Sequence, residues 1–452
     1  MPQQGNIRFQ IALTICGYNR EVGTGGDGRM AFNSYVSGNG PVLEKNMPFT
    51  NVGKKISLSN IQNKKPAIKI TDFVLLPSNR DTIKQHIIAN GAVSSSTCAS
   101  SKDLLNYYNT STKSYYYDGN SQYTNHAISI IGWDDNYDKN NFNVNHRPKN
   151  NGAYLVLNSS GTGFGNNGCY YISYEDPFIE YNVTGIENTG SVNYDNIYQH
   201  DPYGMNCTMK GYETIYAANV FTKDINSIEE LTEVSIATFA DVNCTVYVNS
   251  VDGNLSLSQL KQVSTAKQLT PGYHTIKLIC PVTLAGSKFV VAVKYEPVNG
   301  ITCVTMESPD GALWKYAKTK VGESFLINAS SGSYVDLKTY PEGYAIDANV
   351  CIKAFTKTIK PAKPTLTIKK PSSTSIKNSW KKIAGASGYT VYIATDKSTY
   401  KKVKTITKGS TISYTKTKLK KGHTYKFKIR AYKTVNGKKV YSNYSSVKSK
   451  KL

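Results

Sequence analysis

Two stretches decide how this chain reads. They are Asn125-His126-Ala127-Ile128-Ser129-Ile130-Ile131-Gly132-Trp133-Asp134-Asp135 and Gly152-Ala153-Tyr154-Leu155-Val156-Leu157-Asn158-Ser159-Ser160-Gly161. Both alternate as half-buried strands do. A histidine opens the first and an asparagine closes the second. If the two pair antiparallel across the polar loop between them, the start of one lies against the end of the other, and His126 and Asn158 become neighbours. An imidazole steered by a side-chain amide is the proton-accepting half of a Cys-His-Asn arrangement, so these are the candidate catalytic residues.

Around this centre the chain runs for 452 residues, 39% of them hydrophobic. That length suggests about three domains of ~150 residues each. No run approaches the ~18 apolar residues that a membrane helix needs, so no membrane span is expected. Eight cysteines lie at wide, irregular spacings without a CxxC pair, which argues against a zinc knuckle or a thioredoxin-type site. Neither a metal nor an organic cofactor is expected. Cys207, Cys244, Cys280, Cys303 and Cys351 could form one or two disulfides in an oxidising compartment, or stay as isolated buried thiols.

The net charge of +23 is concentrated at one end. From Lys357 to Leu452 there are 26 lysines and arginines against one acidic residue, Asp396, a net +25. The 28 basic and 30 acidic residues of the remainder nearly cancel.

Local signals fill in the rest. A helix is predicted from Thr82 to Ala89, with Asp81 as cap, Ile83 and Ile87 on one face and Asn90-Gly91 at the end. The tyrosine-rich segment from Tyr107 to Tyr117 either packs a loop or shapes a cleft. His146 sits in a polar loop and reads as a solvated residue. Beyond Asp176 the pattern becomes short strands separated by turns such as Pro271-Gly272 and Asp252-Gly253, an all-β sandwich pattern. Trp314, Tyr316 and Asp310 could hold a sugar or simply form a core rim.

Residues 22 to 180 resemble the papain-like (C1) cysteine peptidases, in particular the secreted bacterial branch in which a lectin-like domain follows the peptidase. Four segments carry the likeness: Gly25-Gly26-Asp27-Gly28 with Gly40-Pro41-Val42-Leu43-Glu44, then Asn90-Gly91-Ala92-Val93-Ser94, then Asn125-His126-Ala127 with Gly132-Trp133, and finally Asn158-Ser159-Ser160-Gly161-Thr162-Gly163-Phe164-Gly165-Asn166-Asn167-Gly168-Cys169-Tyr170. The resemblance implies that His126 is the base, Asn158 its orienter, and Gly25 and Gly26 the substrate-binding backbone. Ser160 and Phe164 stand where the family usually has tryptophans, which leaves the His–Asn hydrogen bond more open to water.

The family's nucleophile precedes the histidine by about 130–150 residues. Counted back from His126, that position falls before Met1, so the chain is expected to be truncated ahead of its nucleophile. Gln10 and Cys16 have the family's spacing between oxyanion glutamine and cysteine. However, the run Gly17-Tyr18-Asn19-Arg20-Glu21-Val22-Gly23 does not make the helix whose N-terminus activates a thiol. Cys16, like Cys98 and Cys169, reads as a packing residue.

A segment from about Val192 to Thr356 looks like the accompanying lectin-like domain. The likeness rests on Tyr198-Gln199-His200-Asp201, Tyr216-Ala217-Ala218-Asn219-Val220-Phe221 and Asn349-Val350-Cys351-Ile352-Lys353-Ala354-Phe355. Residues 365 to 447 resemble a fibronectin type III module, with Trp380 on the second strand and Tyr425 in the tyrosine corner.

The expected fold class is therefore multidomain α+β. A partial papain-like fold carrying the His/Asn β-lobe (1–185) is followed by two β-sandwiches (192–356 and a Lys-rich 365–452) across a linker at 357–364. The expected function is that of a cysteine-type endopeptidase family member, secreted or cell-surface, acting on polypeptides and weakly active or inactive alone. The alternative is a non-catalytic surface or glycan-binding protein on a degraded peptidase scaffold. The Lys-rich module suggests a cell-wall or anionic glycan partner. In sequence its lysines are not interleaved with stacking aromatics, so nucleic acid is not expected.

Overall fold

The computed structural model describes residues 28–46, 66–225, 227–309, 316–340, 347–435 and 437–452. Gln10, Cys16, Gly25, Gly26, Asp310 and Trp314 lie outside the described residues.

The peptidase-like part is built on eight strands: β1 (Lys69–Leu75), β2 (Val93–Thr97), β3 (Tyr108–Asn109), β4 (Ser114–Tyr115), β5 (His126–Asp134), β6 (Ala153–Leu157), β7 (Cys169–Ser173) and β8 (Thr184–Gly190). Their order in the sheet is β3-β4-β7-β6-β5-β2-β8-β1. Ile128, Ile130, Tyr154, Val156, Tyr170 and Ile172 close one core beneath it. Tyr115 and Tyr117 are buried in that core, so these members of the tyrosine-rich segment pack rather than line a cleft. His146, expected as a solvated loop residue, pairs instead with Asp118 at 2.7 Å and lies edge-on to Tyr107.

The predicted helix spans Arg80–Asn90. Its cap is Asn79, whose Oδ1 accepts from Thr82 N, and Asp81 falls in the first turn. Either residue type caps well. Asn79 takes the role because it holds the extended backbone (φ −137°) that the cap position requires.

The sheet does not end at the peptidase. β1 pairs antiparallel with strand Gly272–Leu284, Phe73 against Tyr273 and Val74 against Gly272. The sheet then continues through Glu229–Thr238, Ile352–Thr358 and Asn196–Tyr198, twelve strands in all. Gly272 is required at the seam. Its φ is +149°, and a Cβ there would lie 2.1 Å from the Phe73 carbonyl oxygen. Phe32, Phe73, Met205, Tyr273 and Cys351 form a shared core across the junction. Lys69 reaches across to Glu233 at 2.6 Å while lying over the Phe355 ring.

The middle part adds a seven-stranded sheet and a three-stranded sheet around a large apolar core. The three segments quoted above for this part converge. Asn349 Nδ2 donates to His200 O, Asn219 Nδ2 donates to Val350 O and Ile352 O, and Lys353 Nζ meets Asp201 Oδ2 at 2.8 Å with both side chains fully buried. All seven cysteines among the described residues are free thiols.

The last part is a sandwich of a three-stranded and a five-stranded sheet. Trp380 packs on Tyr389 in its core. Tyr425 accepts from Lys420 N and donates to Lys420 O, closing the tyrosine corner. Among the described residues no helix is long and apolar enough to cross a membrane.

Candidate active site

β5 and β6 pair antiparallel, as their alternation implies, but with a slip. Ser129 faces Leu157 and Ile130 faces Val156, whereas Gly132 faces Leu155, so Ile131 is an extra residue. The bulge decides the site. Carried one residue past β6, the observed register sets Asn158 opposite Ile128. His126 is two residues from Ile128 and therefore on the same face. Without the bulge Asn158 would oppose Ser129, and His126 would point to the other side of the sheet.

With the bulge, His126 Nε2 lies 2.8 Å from Asn158 Oδ1. The same oxygen accepts from Ser159 N at 2.8 Å. An amide oxygen only accepts, so the ring nitrogen facing it is the one that carries hydrogen. Neutral His126 is thereby held as the Nε2–H tautomer with the Nδ1 lone pair free. That is the form that can take a proton from a thiol.

The surroundings fix both partners. Asn158 is 8% exposed, and its N–H donates to Gly168 O. This closes the loop that runs from Ser159 to Gly168. Gly165 in that loop has φ +62°, and a Cβ would lie 2.2 Å from Cys169 O. Phe164 stacks on Tyr108 with centroids 5.2 Å apart, so the residue in the family's second tryptophan position serves as packing. Ser160 is exposed. On the histidine side, Asn125 Oδ1 accepts from Ala99 N and its Nδ2 donates to Asp103, which completes the capping box of helix Ser101–Tyr107.

Two supporting residues were not found by sequence reading. Thr97 pairs with His126 in the β2–β5 ladder. Its hydroxyl donates to Asp176 Oδ2 at 2.9 Å, and Asp176 Oδ1 accepts from Phe178 N and Ile179 N. Asp176 is 4% exposed, and burial raises its pKa to about 6 despite these donors. The turn signal Glu175-Asp176-Pro177 was its trace in the sequence.

Among the described residues no cysteine hydrogen-bonds to His126. Cys98 is buried, donates to Tyr123 O, and has its thiol pKa pushed up by burial, the opposite of what a nucleophile needs. In the middle part, a cleft of about 500 Å³ is lined by Tyr212, Glu213, Asn328, Ser333 and Tyr340.

Residues 10–194 match the papain family cysteine protease model, residues 197–356 the lectin like domain and residues 360–448 the fibronectin type III domain. The chain thus carries a papain-family cysteine protease domain, followed by a lectin-like domain and a fibronectin type III domain. No curated protein matches it significantly.

Among solved structures it is similar to the cysteine protease and lectin-like domains of Cwp84, a surface layer associated protein of Clostridium difficile. The two are 26% identical with a TM-score of 0.68, and the match covers 76% of each chain. It is also similar to a variant of the clostridial cysteine protease Cwp84 after propeptide cleavage. There the identity is 26% and the TM-score 0.67, covering 76% of this chain and 85% of that one.

Proposed function

We propose that the chain is a cell-surface cysteine endopeptidase in which His126 is the proton acceptor and Asn158 orients it. The observation that carries this reading is the 2.8 Å contact between His126 Nε2 and Asn158 Oδ1. In such a site the thiol's proton passes to Nδ1, the thiolate attacks the peptide carbonyl, and the resulting imidazolium protonates the leaving amine. The Nε2–H bond to the amide holds the ring through both transfers. Gly25 and Gly26 bind the extended substrate through their backbone, by analogy with the family. The surface setting follows the likeness to a surface layer associated protein. The domains are 1–185, 192–356 and 365–452, the first two joined through the shared sheet, and the Lys-rich last one engages an anionic wall polymer or glycan.

These 452 residues alone hydrolyse peptides weakly or not at all. Among the described residues no cysteine hydrogen-bonds to His126, and the sequence Gly17-Tyr18-Asn19 after Cys16 is not that of a helix start that would activate a thiol. The test is hydrolysis of fluorogenic peptides by the purified chain, with and without iodoacetamide. The expected turnover is at the level of the His126→Ala variant. Thiol-sensitive turnover that disappears in Cys16→Ala overturns the inactivity and makes Cys16 the nucleophile.

The exposed Ser160 favours a second reading, a surface-binding protein on a disused peptidase frame. Retention on cell walls that is indifferent to His126→Ala, together with absence of turnover in any longer form of the chain, supports that reading over the first.

A further inference from the structure

The five-stranded sheet of the last domain presents a face that its sequence did not reveal. Strand Thr424–Val435 alternates, with Tyr425, Phe427, Ile429 and Ala431 in the core and Lys426, Lys428 and Arg430 on the outer side. The aromatics between these cations come from other segments. Lys428 Nζ lies 4.3 Å from the centroid of Tyr400 and 4.1 Å from that of Tyr444. Arg430 lies 3.7 Å over Tyr441 and donates to Tyr392 Oη at 3.0 Å. Lys439 lies 4.5 Å over Tyr432. Tyr392 is paired with Lys428 on one side and with Lys402 on the other, so Lys402 joins the same face. This corrects the expectation that the lysines stand apart from aromatics.

We infer that this ladder is a binding strip for a linear phosphodiester polymer without aromatic rings, of the polyol-phosphate kind. The inference rests on the reading of the Lys-rich domain as the part that meets anionic polymer. Three observations carry it further.

The first is charge complementarity. The module has one acidic residue, Asp396, and its carboxylate is held by His423 at 2.7 Å and by Thr424 N. The second is spacing. Lys426, Lys428 and Arg430 alternate along one strand, so their Cα atoms repeat at about 6.8 Å, a regular row that a polymer with one charge per repeat can follow. The third selects the polymer. The cations of the strip already lie over the rings of Tyr400, Tyr441 and Tyr444. Nucleobases bind such surfaces by stacking on open aromatic faces. Here those faces hold the ammonium and guanidinium groups in place, with less side-chain entropy left to lose on binding.

The test uses the full chain and three probes: poly(glycerol phosphate), an oligothymidylate with the same number of phosphates, and neutral dextran. Affinity is measured across salt concentrations. Lys428→Gln/Arg430→Gln is compared with Lys381→Gln/Lys382→Gln, which removes the same charge in an exposed loop of the module. The first pair is expected to weaken poly(glycerol phosphate) binding about tenfold and to lower the salt slope by about 1 per cation removed, with the control pair changing little.

Equal losses in both pairs overturn the strip and leave the anionic-polymer reading standing. No binding by the wild-type chain overturns both. Tighter binding of the oligothymidylate with the same dependence on the strip overturns the choice of polymer in favour of nucleic acid. If the first pair unfolds the module, as followed by Trp380 fluorescence, Lys402→Gln/Lys426→Gln tests the same strip, because no ring contact of the ladder is made by either residue.

Discussion

Thr97 donates its hydroxyl to Asp176 at 2.9 Å, and Thr97 is the residue that faces His126 across the β2–β5 ladder. A buried carboxylate therefore anchors β2, the strand against which the strand carrying the candidate base is paired. Its environment disfavours the charge, with a pKa of about 6. An unfolded aspartate titrates near ~3.9. Between these values the folded state holds more proton than the unfolded state, so stability falls as pH rises from about 4 to about 6. The effect amounts to roughly 3 kcal/mol for this one group.

Asp176→Asn keeps the acceptor for Phe178 N and Ile179 N and presents an amide to the Thr97 hydroxyl. The variant is expected to lose this pH dependence and to be more stable than wild type above pH ~6. Urea unfolding midpoints measured from pH 4 to 7.5 check this. A slope that persists unchanged in the variant shows that another group is responsible.

The seam between peptidase and lectin-like parts depends on Gly272. Gly272→Ala puts a methyl group against the Phe73 carbonyl in a backbone region that L-residues avoid. The expected cost is roughly 2 kcal/mol or more. Gly211→Ala, where a Cβ meets nothing within 4 Å, is the control and should change stability by no more than about 0.5 kcal/mol. Hydrogen exchange at Phe73 and Leu75, whose amides face the seam, should quicken in the first variant and not in the second. Unchanged protection in Gly272→Ala would mean that the two parts do not depend on this pairing.

Lys353 and Asp201 are fully buried, and Tyr273 Oη also donates to Asp201 Oδ2 at 2.6 Å. Removing only the cation leaves a buried carboxylate without its counter-charge, so Lys353→Met should cost about 3–5 kcal/mol. Adding Asp201→Asn removes the orphaned charge and still accepts from Tyr273. The double variant should regain a large part of the loss in denaturant unfolding. A double variant no better than the single one argues that Lys353 acts through packing alone.

How much of this was legible in the sequence depends on the range of the interaction. The alternation of β5 and β6 and the positions of His126 and Asn158 are local, and they read directly. The bulge at Ile131, which puts both side chains on one face, left only the apolar doublet Ile130-Ile131 as a sign. Choosing Asn79 over Asp81 as the cap required backbone angles that two equally good capping residues do not encode. The continuous sheet rests on edge pairing between segments about 200 residues apart, which has no local signature. Similarly, the tyrosines around Lys428 and Arg430 come from three separate segments, at Tyr392, Tyr400 and Tyr441–Tyr444, so a linear reading saw lysines alone. Gly25, Gly26 and Cys16 were read from the sequence, and their positions lie outside the described residues.

The central claim is that Asn158 holds His126 with Nε2 protonated and Nδ1 free. Nitrogen-15 NMR of the imidazoles tests it most directly, with His126 assigned by its disappearance in His126→Gln. In its neutral form His126 should show the Nε2–H tautomer, and Asn158→Ala should shift the population toward Nδ1–H. A wild-type His126 already in the Nδ1–H form would contradict the account, because the nitrogen needed to receive a thiol's proton would be occupied.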